Sequence, residues 1–384
     1  MGGEALIRTS TRTGGTRRRS GPAPGGPPLR AFRVSAWRAA LGAFAIVAGA
    51  GGAVAQDSPS PRLELQESGV EVLLQAVSPV SESIVWVSGH GGTWLRTLDG
   101  GSTWESGVMP EADTLQFRDV HAISAETAWL LAAGPGEMSR IYRTDDGGRS
   151  WQLQWTNDEA AGFYDCLSMF DDRRGLVYGD AIDGELRILR TTDGGETWSR
   201  VAGARLPAAL EGEGGFAASG TCLAIGAENV AWIGTGNAEQ ARVLRSADRG
   251  WSWMASDAPI VSGEAAGITS IAFRDERYGL VVGGHLGQPG EHTANVALTA
   301  DGGVTWTAGG KLRMAGAAYG AAWVPGLKPP VAVAVGPGGA DLTSDGGISW
   351  TSIDDRNWWG LGFASSDAGW LVGPEGRIAR VSFR

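Results

Sequence analysis

The sequence predicts an all-β protein: a seven-bladed β-propeller with four antiparallel strands in each blade. Three observations lead to this prediction. One octet of residues recurs six times, three strand-like phrases recur ahead of each octet, and no long window shows a helical period. The composition agrees, because 61 Gly and 17 Trp residues suit a chain with many tight turns, and no Gly-X-Y period points to collagen.

The first 55 residues are typical of a secretory signal peptide. They contain eight Arg and one Glu, and an apolar run from Ala39 to Val54 leads to an Ala53-Val54-Ala55 site. A basic segment, a short apolar segment and an A-x-A site define such a signal. We expect cleavage after Ala55 and export to the periplasm or the extracellular space. The alternative, a retained membrane anchor, would need about 20 apolar residues.

Cleavage would leave a strongly acidic chain over residues 56–384. The full chain has a formal net charge of -10, and loss of the first 55 residues leaves 24 basic against 41 acidic residues, or -17. A nucleic-acid-binding protein needs a basic face, so this charge argues against that class of partner. No later stretch is apolar enough to span a membrane. We expect residues 56–384 to form a single propeller domain and a monomer.

The recurring octet has the pattern [S/T]-x-D-x-G-x-[S/T]-W and predicts a hairpin turn. Asp accepts hydrogen bonds from backbone N–H groups just ahead of it, and Gly supplies the positive φ that the reversal requires. We therefore predict a structural role, not a catalytic one, for the octet carboxylates. They lie 44 to 55 residues apart, at Asp99, Asp146, Asp193, Asp248, Asp301 and Asp345.

The fourth octet departs from the others. Arg249 replaces the first Gly of the turn, and Trp251 is interpreted as an inserted residue. Because Arg is less suited than Gly to a positive φ, we expect this turn to be less regular than the others.

Four strands are predicted for each repeat of about 47 residues. The first is apolar, as in Asp165 to Met169, and the second ends in Gly, as in the phrase GLVYG that begins at Gly175. The third runs into the octet, as Arg187 to Arg190 does, and the fourth leaves through the octet Trp. Short strands repeated at this interval are the signature of a propeller.

The two ends of the chain predict how the ring closes. After the sixth octet, three strands follow around Trp358 to Phe363, Gly369 to Gly373 and Arg377 to Arg380, and the last blade is one strand short. Arg62 to Glu67 is a spare strand of the fourth-strand type at the other end. We expect it to complete the last blade and so to cover sheet edges that invite aggregation.

The octets resemble the Asp-box (BNR) repeats of sialidase-like propellers. Over residues 62–384 the arrangement, with the phrase W-x-V-G-x-x-G-x-x-x-R-T-x-D-G-G-x-T-W, is similar to the photosystem II assembly and stability factor family of seven-bladed propellers. The resemblance implies an exported binding or assembly protein that has no catalysis of its own and needs no cofactor. Its partner would be a protein or another ligand in the cell envelope.

Propeller topology predicts where a ligand would bind. The turns between strands 1 and 2 and between strands 3 and 4 share one face, which carries the octets. The opposite face carries the longer loops, so we expect function there, around the mouth of the central channel. Residues at the start of strand 1 or the end of strand 2 should line this mouth; the candidates are His90, Arg118, Asp119, Tyr164, Asp165, Asp180, His285 and Trp359.

The most specific hypothesis about the channel mouth concerns Asp119 and Asp165. They occupy what we interpret as equivalent places in neighbouring blades, so they could face each other in a polar pocket for a cation, a sugar or a basic peptide segment. The alternative is that neighbouring backbone N–H groups satisfy both carboxylates, as is usual for buried polar groups. The four His residues lack metal-ligand spacing and no calcium loop is present, so we predict no metal site.

The cysteines allow two interpretations. Cys166 and Cys222 lie at matching positions in the first strands of adjacent blades. An even pair in an exported protein favours a disulfide. Two buried free thiols are the alternative, because inner strands of adjacent blades can hold Cα atoms more than about 7 Å apart.

Three functions from different classes follow from these observations. We favour a non-enzymatic propeller that binds a partner and aids assembly in the cell envelope. The second is a sialidase-like glycoside hydrolase, which is disfavoured because the F/Y-R-I-P phrase of that family is absent near the first blade. The third is an enzyme acting at the channel mouth. Similar sequences are sometimes labelled oxidoreductases, but neither a dinucleotide-binding motif nor a C-x-x-C motif supports this here.

Overall fold

Seven four-stranded antiparallel sheets make up the described part of the chain, so the predicted fold class is confirmed. The structure is a computed structural model that describes residues 60–383, except residues 228 and 293. The predicted signal peptide lies outside the described residues. No helix in the described residues is long and apolar enough to cross a membrane.

The strands follow the predicted order of four for each blade. Blade 1 contains β2 to β5, each later blade takes the next four strands, and blade 7 combines β26 to β28 with β1. Two short 3-10 turns, Gly136–Met138 and Gly203–Arg205, lie in loops. The strands are β1 (Pro61–Gln66), β2 (Leu74–Pro79), β3 (Val85–Gly89), β4 (Thr93–Thr97), β5 (Glu105–Val108), β6 (Phe117–Ala122), β7 (Ala128–Ala132), β8 (Arg140–Thr144), β9 (Gln152–Thr156), β10 (Tyr164–Met169), β11 (Gly175–Ile182), β12 (Glu185–Thr191), β13 (Ser199–Arg200), β14 (Leu223–Ile225), β15 (Ala231–Gly234), β16 (Arg242–Ser246), β17 (Met254–Asp257), β18 (Ala266–Phe273), β19 (Gly279–His285), β20 (Val296–Thr299), β21 (Thr307–Ala308), β22 (Gly320–Val324), β23 (Val331–Gly336), β24 (Gly339–Thr343), β25 (Thr351–Asp354), β26 (Gly360–Ser365), β27 (Ala368–Val372) and β28 (Ile378–Phe383).

The ring closes as predicted, through the N-terminal strand. β1 pairs antiparallel with β28 from Pro61 opposite Phe383 to Gln66 opposite Ile378, and it forms the outer strand of blade 7. The first strand of each blade contacts the first strands of both neighbouring blades, and β26 contacts β2. These seven inner strands therefore surround a central channel.

In blades 2 and 4, a Trp on the second strand and an Arg on the third strand both donate hydrogen bonds to the octet of the next blade. Trp129 Nε1 and Arg143 Nη1 both donate hydrogen bonds to the carbonyl oxygen of Gly194, at 3.0 Å and 2.9 Å. Trp232 Nε1 and Arg245 Nε donate in the same way to Gly302, at 2.7 Å and 3.0 Å. At these two junctions the repeat that builds the turn thus also joins neighbouring blades.

Each octet carboxylate holds its turn closed through the same three contacts. Asp99 Oδ1 accepts hydrogen bonds from the Thr103 N–H at 2.9 Å and the Thr97 hydroxyl at 2.8 Å, and Asp99 Oδ2 accepts one from the Thr103 hydroxyl at 2.7 Å. These bonds from Thr103 and Thr97 lower the pKa of Asp99 to about 2. Equivalent contacts hold Asp146, Asp193, Asp248, Asp301 and Asp345.

The expectation that the turn of the fourth octet is less regular than the others is wrong. Arg249 adopts a φ of 58° and Gly250 a φ of 76°, so an Arg takes the left-handed conformation that Gly takes elsewhere. Trp251 is not an insertion, because it occupies the variable position before the second Ser of the octet. Its ring is half-exposed and lies 4.1 Å from the guanidinium of Arg190. The turn keeps its backbone path because the Asp248 contacts are unchanged.

Replacing one octet carboxylate should destabilise the protein moderately. We expect Asp193→Ala to lower the free energy of unfolding by roughly 1 to 3 kcal/mol, because the Thr197 N–H loses its acceptor. Hydrogen bonds from Thr197 and Thr191 outweigh burial and lower the pKa of Asp193. This contribution is therefore present above the unfolded-state pKa near 4 and is lost as the pH falls through the native value.

Urea unfolding at neutral and acidic pH measures the effect of Asp193→Ala. Asp172→Ala is the matched control, because Asp172 is an exposed carboxylate in the same blade. Equal unfolding free energies for the two variants at neutral pH would contradict the role of the octet carboxylate.

The two cysteines are joined in the structure. Cys166 on β10 and Cys222, just before β14, form a disulfide with Cα atoms 6.0 Å apart. Both side chains are completely buried between blades 3 and 4. The inner strands of these two blades therefore approach closely enough to form a disulfide, which is one of the two interpretations that the cysteine pattern allows.

Candidate functional site

The first strands of blades 1, 2, 3 and 5 each carry a one-residue bulge near their start, and the bulged residue is polar in each. Strand pairing skips Gln75, Arg118, Asp165 and Thr269. A bulge leaves its residue outside the ladder and redirects its side chain. Polar side chains are thus concentrated where the inner strands begin, at the end of the channel away from the octets.

A segment of blade 4 crosses the channel. We call residues 213–221 the crossing segment; it precedes β14 and reaches blades on the far side of the ring. The Ala217 carbonyl accepts hydrogen bonds from Gln75 Nε2 at 2.6 Å and from Arg118 Nη1 at 3.4 Å. Ser219 Oγ donates to the Tyr319 carbonyl of blade 6 at 2.6 Å. The crossing segment lines two cavities, one at each end of the channel.

The smaller of these cavities is the candidate site. We call it the axial cavity. It has a volume of about 260 Å³ and lies at the mouth opposite the octet turns. It is lined by Arg118, Phe163, Asp165, Asp180, Gly215, Phe216, Ala217, Ala218, Leu286, Tyr319 and Trp359.

Two carboxyl groups lie at one wall of the axial cavity. Asp165 on β10 and Asp180 on β11 are neighbouring side chains of this wall, and Asp180 Oδ1 accepts a hydrogen bond from the Gly215 N–H at 2.9 Å. Burial and the neighbouring Asp180 charge raise the pKa of Asp165 well above its usual range. Burial raises the pKa of Asp180 to about 6. The two carboxyl groups therefore retain a proton more readily than exposed aspartates do.

A single guanidinium faces this pair. Arg118 donates to the Gln116 side-chain oxygen through Nε at 2.9 Å and Nη2 at 2.5 Å, and its guanidinium lies 5.9 Å from the Phe163 ring. Burial lowers the pKa of Arg118 and the Asp165 charge raises it. Arg118 is thus a fixed positive charge beside the acid pair.

Aromatic side chains form the opposite wall. The rings of Tyr319 and Trp359 meet edge to face with centroids 4.9 Å apart, and Phe216 adds a third ring. The buried Trp359 Nε1 has no hydrogen-bond partner among the described residues. Within the same residues, no group of three His, Cys, Asp or Glu side chains is placed to hold a metal ion. Charged and aromatic side chains thus line the same cavity.

Four of the eight residues predicted for the channel mouth line the axial cavity together: Arg118, Asp165, Asp180 and Trp359. A fifth, His90, lies behind it. Its Nε2 contacts Gln75 Oε1 at 2.8 Å, and Gln75 in turn donates to the crossing segment. Burial and the Arg118 charge lower the pKa of His90, so its ring is neutral near pH 7.

Asp119 does not face Asp165, contrary to expectation. Asp119 pairs with Leu131 in the ladder, whereas the bulged residue beside it is Arg118. The structural equivalent of Asp165 is therefore Arg118, because a shift of one residue turns a side chain to the other face. Asp119 instead lines the second cavity, of about 980 Å³, and its Oδ2 accepts a hydrogen bond from the Leu167 N–H at 2.6 Å.

Tyr164 and His285 do not line the channel mouth as predicted, because in each case an adjacent residue lines it instead. Tyr164 is buried between blades, where its ring meets Trp155 edge to face at 4.8 Å, and burial raises its pKa to about 12. Phe163 lines the cavity in its place. His285 Nδ1 accepts a hydrogen bond from the Gly287 N–H at 3.1 Å, and Leu286 lines the cavity instead.

The crossing segment was not predicted, although its composition gives a signal. Its run of small residues allows close approach: a Cβ on Gly215 would lie 2.7 Å from Asp165 Oδ2, and one on Gly220 would lie 2.1 Å from Asp119 Oδ1. Glycine where two chain segments approach closely is the expected solution. Tyr319 was also missed, although it directly precedes β22 as Trp359 precedes β26.

The buried Asp119 should make stability depend on pH. Burial raises the pKa of Asp119 to about 8 in the native state, whereas the carboxyl of the unfolded chain ionises near pH 4. The native state therefore binds more protons over this interval, and stability falls as the pH rises from about 4 to about 8. We expect Asp119→Asn to show a smaller decline, because an amide does not ionise.

Urea unfolding at about pH 5 and about pH 8 measures this decline. The difference between the two pH values isolates ionisation, because any loss of packing or hydrogen bonding would lower stability at both. Identical declines for wild type and Asp119→Asn would contradict the assignment.

No family model matches this sequence, and no curated protein matches it. Two solved structures of known proteins are similar in fold. One is described as YCF48 bound to D1 peptide, with a TM-score of 0.57, 16% sequence identity, and coverage of 85% of this chain and 96% of that chain. The other is YCF48 from Cyanidioschyzon merolae, with a TM-score of 0.57, 15% identity, and coverage of 83% and 98%. The chain is thus a seven-bladed propeller that resembles YCF48 in fold.

Proposed function

We propose that this protein is an exported, non-enzymatic binding or assembly scaffold that holds a segment of a partner protein in the axial cavity. The observation that carries the proposal is the cavity itself. It places the Arg118 guanidinium, the Asp165 and Asp180 carboxyl groups and the aromatic wall in one recess of a closed ring. A recess with both charges and apolar walls suits a polypeptide side chain.

The size of the recess favours an extended segment as its occupant. Its volume of about 260 Å³ lies below the roughly 300 to 1,000 Å³ of pockets for drug-sized ligands. A single side chain fits such a space, and the flanking loops are then free to contact the backbone on either side. The similar structure described as YCF48 bound to D1 peptide supports a peptide ligand for this chain also.

Export is the second part of the proposal. It rests on the basic, apolar and A-x-A segments of residues 1–55. The bridge between Cys166 and Cys222 supports it, because disulfides persist in oxidising compartments.

Affinity capture from the envelope fraction of the native host tests the binding function. We expect the tagged wild-type protein to retain a defined partner in near-stoichiometric amount. Trp359→Ala should reduce that recovery at least about tenfold. Ile348→Ala is the control, because Ile348 is exposed in an octet turn on the opposite face. Equal recovery with Trp359→Ala and wild type would refute the cavity as the binding site, provided that both fold.

A sialidase-type hydrolase is the second candidate, since glycoside hydrolysis also requires two carboxyl groups. The close approach of Asp165 and Asp180, each of which shifts the pKa of the other, speaks against it, because the reaction needs carboxyl groups about 5 Å or more apart. Release of the chromophore from a chromogenic sialoside by wild type, with loss of release in Asp165→Asn, would favour the hydrolase over the scaffold.

A further inference from the structure

The charges around the axial cavity do not balance when both carboxyl groups are ionised. Arg118 supplies one positive charge, and Asp165 and Asp180 supply two negative charges. The nearest other acid, Glu213, is committed to Arg242, whose Nε donates to Glu213 Oε1 at 2.9 Å. The cavity is therefore short of one positive charge, which a proton retained by the pair supplies when no ligand is bound.

One oxygen of the Asp165 carboxyl group also lacks a hydrogen-bond donor. Asp165 is 1% exposed, and its Oδ2 has no hydrogen-bond partner among the described residues. Gly215 lies against this oxygen, so no larger side chain of the crossing segment competes for it. Buried polar atoms are nearly always paired. An unpaired acceptor at the wall of a cavity is thus a place for a donor brought by a ligand.

The remaining walls suit the stem of a cationic side chain. Phe216, Tyr319 and Trp359 present aromatic surface to the cavity. Aromatic rings favour a cation near their faces, and they also pack against aliphatic carbons. Acidic and aromatic groups together select a positively charged organic group over a sugar or a neutral side chain.

We propose that the axial cavity binds one lysine or arginine side chain of the partner polypeptide, which pairs with Asp165 and Asp180 in place of the retained proton. This inference rests on the proposed function, since it names the chemistry of the segment that the scaffold holds. Arg118 remains bound to Gln116 and stays beside the pair. Entry of the ligand cation releases the proton to solvent, so charge is conserved in the cavity.

Competition with the proton predicts how binding depends on pH. The pKa of Asp180 is raised to about 6 by burial, and that of Asp165 is raised further, so the cation must displace a proton at low pH. Of the other titratable groups near the pair, burial raises the pKa of Tyr178 and Tyr319, and burial and the Arg118 charge lower the pKa of His90. Affinity should therefore rise from about pH 5 to about pH 8.

A small probe tests the cation site without the partner. Ligand-detected NMR titration of the purified protein would measure the dissociation constants of Nα-acetyl-arginine methylamide and its neutral isostere, Nα-acetyl-citrulline methylamide. We expect the arginine probe to bind at least about tenfold tighter than the citrulline probe, and tighter at the higher pH. Nα-acetyl-lysine methylamide should share this preference.

Two variants locate the binding. Asp165→Asn should weaken the arginine probe at least about tenfold, and it should fold because the amide has the shape of the buried carboxyl group. Asp180→Asn provides a second test at the same site. Asp172→Asn is the control: it makes the same substitution at the other end of the same strand pair, where Asp172 is exposed. We expect it to leave binding within about twofold of wild type.

The outcomes separate this inference from the proposed function. Equal binding of the arginine and citrulline probes, or equal losses in Asp165→Asn and Asp172→Asn, would overturn the cation site. If the partner is captured equally by wild type and Asp165→Asn, the scaffold function stands and the cation site fails. If the arginine probe binds as expected but no partner is retained, the cation site stands and the scaffold function fails.

Discussion

Removal of β1, residues 61–66, is expected to destabilise the whole ring. The strand supplies the outer edge of blade 7 through six residue pairs with β28, and Leu63 packs against the cluster that contains Val381 and Phe383. It also fastens blade 1, because Gln66 Nε2 donates to the Gly100 carbonyl at 3.0 Å and Gln66 Oε1 accepts from Trp104 Nε1 at 3.3 Å. Its loss would remove both the pairing with β28 and the Gln66 contacts with blade 1, so the ring would open between blades 7 and 1.

We expect this deletion to cost at least about 5 kcal/mol, which corresponds to a fall in Tm of roughly 7 °C or more. Thermal unfolding followed by circular dichroism measures it. A chain that lacks only residues 1–59 is the control, because it retains β1. If both truncated chains melt within about 2 °C of each other, β1 does not close the ring.

Trp232→Ala is expected to destabilise the protein more than the loss of an octet carboxylate does. Trp232 is 1% exposed, stacks on Phe273 with ring centroids 3.6 Å apart, and donates to the Gly302 carbonyl of blade 5 at 2.7 Å. Truncation to Ala leaves a cavity between blades 4 and 5 and an unpaired carbonyl. Together these should cost about 4 to 5 kcal/mol.

Trp251→Ala is the matched control for this substitution. Trp251 belongs to the fourth octet, and its ring is 50% exposed and contacts two guanidinium groups, those of Arg190 and Arg205. Its loss should cost about 1 kcal/mol or less. Urea unfolding of both variants gives the comparison. Equal losses would show that the Trp residues of the second strands do not join the blades.

The fold was predictable because its cause is local and repeated. Each octet contains its own acceptor, its own turn glycines and its own covering Trp, so the sequence pattern defines the hairpin without reference to distant residues. The strand Arg62 to Glu67 could be assigned to blade 7 because the last repeat lacked its fourth strand. The observed pairing of Pro61–Gln66 with β28 confirms that assignment.

The axial cavity was predictable only in part, because it depends on contacts between distant residues. Bulges at Arg118 and Asp165 move the channel-facing position by one residue, which explains why the prediction for Asp119 is wrong. The sequence does not mark a bulge in an apolar strand. The crossing segment places Ala217 against Gln75, 142 residues away in the chain, and no periodicity reports such a contact.

The prediction for the fourth octet is wrong for a different reason, because it gave too much weight to the conformational preference of one residue. A substitution at a conformationally demanding position suggested a distorted turn, but three hydrogen bonds to Asp248 hold Arg249 in the left-handed region. Local hydrogen bonds therefore outweigh the conformational preference of one residue. The same set of bonds explains why the pattern tolerates variation at its other positions.

Site-specific photo-cross-linking tests most directly the claim that the axial cavity holds a partner segment. A benzophenone side chain placed at Leu286, which lines the cavity, should cross-link to one partner polypeptide in the native host. The same group at Ile348, exposed on the octet face, should give no such product. Competition by Nα-acetyl-arginine methylamide should reduce the Leu286 product. Cross-linking of that partner from Ile348 but not from Leu286 would contradict the account.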